Sequence, residues 1–218
     1  MFLTQELEQL RQQLRANHPE NFKAVMDGAT QDLINTKIAE SALKKGDPIP
    51  DFTLPNAVEK PVKIQSLLDR GLLVISFYRG GWCPYCNLEL RTLQKYLPKI
   101  KELGANLVAI SPETPDHSLS TSEKNELTFE VLSDVKNQVA QQFGLVFTLP
   151  EEIRSIYQQF GIDVPAYNGN QTFELPIPAT YVVATDGRII HSFVNPDYTQ
   201  RLDPEEIMTT LQQVSLNV

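Results

Sequence analysis

Two cysteines and three histidines are the only thiol and imidazole ligands that the 218 residues offer a metal. A zinc centre takes about four such ligands. His18, His117 and His191 are isolated rather than spaced as a ligand pair, so no metal or other cofactor is expected. No stretch approaches the roughly 18 consecutive apolar residues of a membrane span. The opening residues, MFLTQELEQLRQQLRANHPE, turn polar and acidic too early for a secretory signal. Positive charge is scarce as well: 19 Lys and Arg face 27 Asp and Glu, leaving −8. Such a field repels phosphate backbones and anionic lipid, which argues against nucleic-acid and membrane partners. Repeats and low-complexity tracts are absent. The expectation is a soluble, cytoplasmic protein, and in that reducing compartment a close cysteine pair is more often catalytic or metal-binding than a permanent staple.

What is present suits one medium domain with an appendage, since 41% of the residues are hydrophobic and the length supports one sizeable core. Leu3, Leu7, Leu10 and Leu14 recur at helical spacing until Asn17-His18-Pro19. Phe22, Val25, Met26, Leu33, Ile34, Ile38, Ala42 and Leu43 predict a second helical region, interrupted near Gly28. Residues 1–45 are thus a helical extension, a packing arm for the domain or for a sister subunit in a homodimer, with no part in chemistry. From 46 to 218 short apolar runs alternate with helical stretches. Strands are expected at Leu72 to Tyr78, Ala105 to Ser111, Phe129 to Asp134 and Ala179 to Thr185, the last in a hairpin with RIIHSFV. A helix over 83–104 joins the first two strands into a βαβ unit. Helices are also expected over 135–143 and from Asp203, where Asp203 caps and Pro204 opens the last one. Residues 149–171 fall outside this alternation and read as an insertion. The fold class is α/β, a mixed central sheet with helices on both faces.

Both cysteines lie in RGGWCPYCNLEL, Arg79 to Leu90. Cys83 follows a strand and opens a helix, where unpaired N–H groups favour a thiolate, and Pro84 suits the first helical turn. Arg79 could add positive potential or face solvent. Cys83 and Cys86, three apart on one helical face, can cycle between dithiol and disulfide through a mixed-disulfide intermediate. Buried inert thiols are the bland alternative.

These residues resemble a known family. KKGDPIPDFTLPN, LLVISFYRGGWCPYCNLELRTLQ, VLSD with VAQQFGL, and PATYVVATDGRII are similar to the successive signatures of the alkyl hydroperoxide reductase and thiol-specific antioxidant (AhpC/TSA) family, in its peroxiredoxin-like branch. The resemblance covers Gly46 onward and implies a thioredoxin-like fold preceded by the helical extension. Typical peroxiredoxins carry Pro-x-x-x-Thr-x-x-Cys here. Laid on this chain, that pattern puts Cys86 at the peroxide-reacting position, Arg79 at the proline and Cys83 at the threonine. The family's arginine before the strand ATYVV is missing from ELPIPAT. Pro178 resembles the cis-proline of thioredoxins, and Cys-Pro-Tyr-Cys is the glutaredoxin tetrapeptide.

The resemblance implies catalytic Cys83 and Cys86, with Arg79, Trp82, Pro84, Tyr85 and Pro178 around the substrate. The leading expectation is a thiol–disulfide oxidoreductase in which Cys83 attacks and Cys86 resolves. A thiol-dependent peroxidase with Cys86 attacking is the alternative, and a non-enzymatic redox-sensing module a further one. The partners implied are a disulfide or hydroperoxide substrate and a thiol reductant such as thioredoxin or glutathione.

Overall fold

A computed structural model describes residues 2–216. The chain opens with α1 (Leu3–Ala16), α2 (Glu20–Asn35) and the short α3 (Ile38–Ser41), then a hairpin of β1 (Thr53–Pro55) and β2 (Pro61–Lys63). Next come α4 (Ile64–Leu68), β3 (Leu72–Phe77), α5 (Pro84–Glu102), β4 (Ala105–Ser111), α6 (Pro115–Lys124) and β5 (Glu130–Ser133). After α7 (Gln138–Gln142) and β6 (Val146–Thr148), the region 149–171 carries α8 (Glu151–Gln159) and α9 (Val164–Asn168). The chain closes with β7 (Glu174–Pro176), β8 (Ala179–Val183), β9 (Ile189–Val194) and α10 (Pro204–Ser215).

The main sheet runs β5-β4-β3-β8-β9. β3 pairs in parallel with β4, and β4 with β5, while β8 is antiparallel to both β3 and β9. Every residue of β3 is buried, as its continuous apolar run requires of a strand covered on both faces. Leu72 and Val74 meet Leu3, Leu90, Leu93 and Leu211 of α1, α5 and α10. Leu73, Ile75 and Phe77 point the other way, to Ile64 and Leu67 of α4 and to Phe143 beyond α7. This is the mixed sheet between helical layers that the alternation of runs predicts. As expected, Asp203 caps α10, accepting from the Glu205 amide at 3.1 Å.

Where the sequence suggests a break at Gly28, α2 continues through it. A Cβ at Gly28 would meet nothing within 4 Å. The residue therefore sits on the open side, where glycine costs a helix about 1 kcal/mol. The opposite face, Phe22, Val25, Met26 and Ala29, packs on Ile153 and Tyr157 of α8 and holds the helix together. α1 is also anchored: Leu3 and Leu7 are buried in the same cluster as Cys86, and each buried leucine is worth about 1.5–3 kcal/mol. Arg15 of α1 reaches Asp27 of α2 with two hydrogen bonds, 2.6 and 2.8 Å. The extension is therefore a fixed wall.

Candidate active site

Three elements converge at the C-terminal end of β3. Tyr78 and the loop Arg79-Gly80-Gly81 lead from the strand to Cys83, the N-cap of α5, with Pro84 at the first helical position. The two glycines are required by crowding. A Cβ at Gly80, whose φ is +154°, would lie 2.2 Å from the Trp82 ring nitrogen, and one at Gly81 would lie 2.0 Å from Thr121 Oγ1. Buried Glu113, just past β4, accepts from the Gly81 amide at 2.9 Å, and Asn87 of α5 donates to the Gly81 carbonyl at 2.7 Å. Both polar groups of one peptide position are thus held by side chains, which fixes the approach of the loop to α5.

The cysteines are free thiols, 2% and 0% exposed, and each sulfur bears on the ionisation of the other. Cys83 lines a cavity of about 590 Å³ with Trp82, Pro84 and Tyr85. Cys86 lies behind it, where Arg201 Nη2 donates to its sulfur at 3.2 Å. The same arginine reaches Glu89 through Nε at 2.5 Å, both side chains being almost fully buried. Arg79 is equally buried, but its guanidinium stands among rings, with its carbon 4.6 Å from the Tyr198 centroid, 5.0 Å from Trp82 and 5.5 Å from Tyr157. It donates to the Tyr157 hydroxyl, while its Nε has no hydrogen-bond partner.

These charges set the thiols apart. Burial opposes the Cys83 anion, but the hydrogen bond from Cys86 and the charges of Arg79 and Arg201 outweigh it and bring the group down to about 6. Burial and the neighbouring Cys83 sulfur push Cys86 well above the ordinary thiol range. The pair therefore gives up one proton readily and holds the second. The sulfur that ionises faces the cavity. Burial also raises Glu89 and Glu113 to about 7 each, against the opposing pull of Arg201 on Glu89 and of the Gly81 amide on Glu113.

A second chamber of about 290 Å³ adjoins the first, sharing Met26, Thr30, Arg79, Tyr157 and Tyr198 with it. Its other walls are mostly apolar, from Leu33 of α2 to Phe147, Leu149, Ile153 and Pro178. The helical extension, expected to be packing alone, supplies one side of both chambers.

Trp82, Cys83, Pro84 and Tyr85 line the larger cavity, Arg79 both chambers and Pro178 the smaller one, while Cys86 is held just behind. One open reading is decided and one expectation is corrected. Arg79 does not face solvent, because its charge is sheltered by three rings and lies against the thiols. Pro178 is not cis, since no described peptide bond is. Ile177 donates to Leu145 at 2.8 Å and Ala179 pairs with Phe77, so the chain enters β8 extended, in the form most X–Pro bonds adopt. The sequence reading missed Arg201, Glu113, Tyr157 and Tyr198. Arg201 brings a guanidinium to the Cys86 sulfur from the loop between β9 and α10, whereas ELPIPAT supplies none.

A family model described as the AhpC/TSA family matches residues 45–192, and the chain belongs to that family. Two curated relatives are a putative peroxiredoxin bcp of Buchnera aphidicola, 33% identical over 105 residues, and the peroxiredoxin Bcp of Escherichia coli, 32% identical over 103. These matches cover 48% and 47% of this chain and 66% and 65% of the relatives, just under two thirds of their length. Among solved structures, a peroxidoxin BcpB from Mycobacterium tuberculosis superposes with a TM-score of 0.63 at 23% identity, covering 79% of this chain and 98% of that one. A peroxiredoxin 6 of Arenicola marina gives 0.65 at 17%, over 80% and 74%. The fold is accordingly thioredoxin-like. No helix among the described residues is long and apolar enough to cross a membrane.

Proposed function

We propose that this chain is a thiol-dependent peroxidase, an oxidoreductase in which Cys83 attacks a hydroperoxide and Cys86 resolves the product. The family and the naming of the relatives favour the peroxidase alternative over the dithiol oxidoreductase that the Cys-Pro-Tyr-Cys motif suggests first. The observation that carries the assignment of the sulfurs is that Cys83 lines the cavity beside Arg79, while Cys86 is shut behind it.

The hydroperoxide enters the larger cavity and its organic group suits the apolar chamber. The Cys83 thiolate forms a bond to the terminal peroxide oxygen, the O–O bond breaks, and the leaving alkoxide takes a proton to become the alcohol. Cys83 is then a sulfenic acid. The Cys86 thiol attacks that sulfur, the S–O bond breaks, and the hydroxide leaves as water with the Cys86 proton. A Cys83–Cys86 disulfide results, and two electrons from an external thiol return it to the dithiol. The cytoplasmic location expected from the sequence belongs to this proposal.

One observation favours the family register, with Cys86 attacking: Arg201 is bonded to the Cys86 sulfur, not to Cys83. Serine variants treated with one equivalent of hydroperoxide and a sulfenate-specific label decide between the two. Cys86→Ser should hold one sulfenate on Cys83 and then stall, while Cys83→Ser should take no label. Label on Cys86 in Cys83→Ser would reverse the roles, and a wild type that consumes no hydroperoxide with any thiol donor would end the proposal.

A further inference from the structure

The wall over the sulfurs limits what can reduce them. A donor must bring its own sulfur into bonding distance of Cys83, which is 2% exposed beneath α1 and α2. α1 is held by Leu3 and Leu7 in the same cluster as the cysteines, so admitting a folded partner means pulling that helix away from α5. The opening that exists is a cavity of about 590 Å³, within the range that accepts small molecules. Its walls also depart from the chain as a whole. The protein carries −8, yet the cavity has Arg11, Arg15, Lys23 and Arg79 against Asp27 and Asp197. Asp27 neutralises Arg15. Glu8 at 3.7 Å and Glu20 at 2.6 Å meet Arg11 and Lys23 with side chains 51% and 88% exposed, and such exposed pairs give way at little cost. Arg79 has no carboxylate partner among the described residues and keeps a buried, unpaired Nε.

From this cavity, and resting on the peroxidase reading, we infer that the electron donor is a low-molecular-weight thiol bearing carboxylates, rather than a protein dithiol. Its thiolate attacks Cys83, the Cys83–Cys86 bond breaks, and Cys86 leaves and takes up a proton. A second molecule of the thiol attacks the sulfur of the first, which releases the Cys83 thiolate and the small-molecule disulfide. The two electrons come from the two thiols, and the donor's carboxylates sit against Arg79, Arg11 and Lys23.

The whole chain is oxidised with diamide, so that no peroxide chemistry enters. It is then offered glutathione, cysteamine, or thioredoxin with its reductase, and loss of the disulfide is followed by alkylation and mass spectrometry. Glutathione should act about tenfold faster than cysteamine at matched thiolate concentration. It should also outpace thioredoxin at equal concentration, reversing the order these donors show on exposed insulin disulfides. In an Arg11→Glu/Lys23→Glu variant glutathione should slow and cysteamine quicken, opposite movements that a loosened fold does not produce. Thioredoxin ahead of glutathione, or cysteamine equal to it in the wild type, overturns the inference. A wild type that consumes no hydroperoxide yet keeps this order of donors removes the peroxidase reading and leaves the inference standing.

Discussion

Arg79 and Arg201 are buried alike, 2% and 3% exposed, and both act on the cysteines, but their surroundings differ. Arg201 has Glu89 at 2.5 Å, so much of its charge is answered by a carboxylate and its effect on Cys86 is that of a directed hydrogen bond. Arg79 has aromatic faces instead, which stabilise a cation without neutralising it. Its field remains available to an anion, and the anion at hand is the Cys83 thiolate. A buried cation thus does different work according to what balances it: the paired one braces, the caged one acidifies.

Removing each arginine should therefore damage different properties. Arg201→Met leaves Glu89 as a buried carboxyl without its partner, and the loss of stability in a urea melt should be about 3–5 kcal/mol. The double variant Glu89→Gln/Arg201→Met should recover part of that loss, more of it as the pH rises above 7, because glutamine cannot ionise as the buried Glu89 carboxyl does. Arg79→Met should cost less stability but raise the Cys83 pKa from about 6 by about a unit, which at pH 7 roughly halves the thiolate and slows the peroxide reaction about twofold. The slowing should fade as the pH is raised past the new value. If Arg201→Met raised the Cys83 pKa more than Arg79→Met did, the distinction between the two arginines would be lost.

Smaller effects follow from the loop and from proton linkage. Gly81→Ala places a methyl group against Thr121, so turnover should fall with the far-ultraviolet circular dichroism unchanged. The folded pKa of Cys83, about 6, lies below the ordinary thiol value. Its contribution to the stability of the reduced protein is therefore complete above the unfolded pKa, near 8.5, and is lost as pH falls through about 6. Glu89 and Glu113, raised to about 7, run the other way. What they contribute is complete below about 4.3 and is lost as pH rises through 7. Reduced wild type should thus gain stability relative to Cys83→Ser between about pH 6 and 8.5, read from paired melts. A constant difference across that window would contradict the low thiol pKa. The least consequence attaches to Asp27→Asn, which breaks a largely exposed pair and should cost under about 1 kcal/mol.

Much of the scaffold was legible because its elements are long enough to show a period. β4 spans Ala105–Ser111 as its apolar run implies, and α10 starts at Pro204 behind its Asp203 cap. Three-residue strands such as β6 and β7 complete no alternation, and α6 is too polar to show an apolar stripe. The cysteines and Arg79 were visible because one motif holds them. Arg201 was not: it stands 115 positions from Cys86 in a turn with no periodicity, and only the sheet brings it under α5. Tyr157 lies in the stretch 149–171 that read only as an insertion, and nothing local marks its hydroxyl as a partner of Arg79. Pro178 misled because the thioredoxin likeness outweighed the ordinary preference for trans.

The thiol pKa values test the central claim most directly. Each cysteine of the reduced wild type is alkylated across a pH series and quantified by mass spectrometry of its own peptide. Cys83 should titrate near 6, with Cys86 still protonated well above neutrality. A Cys86 that ionises first, with Cys83 protonated at pH 7, would contradict it.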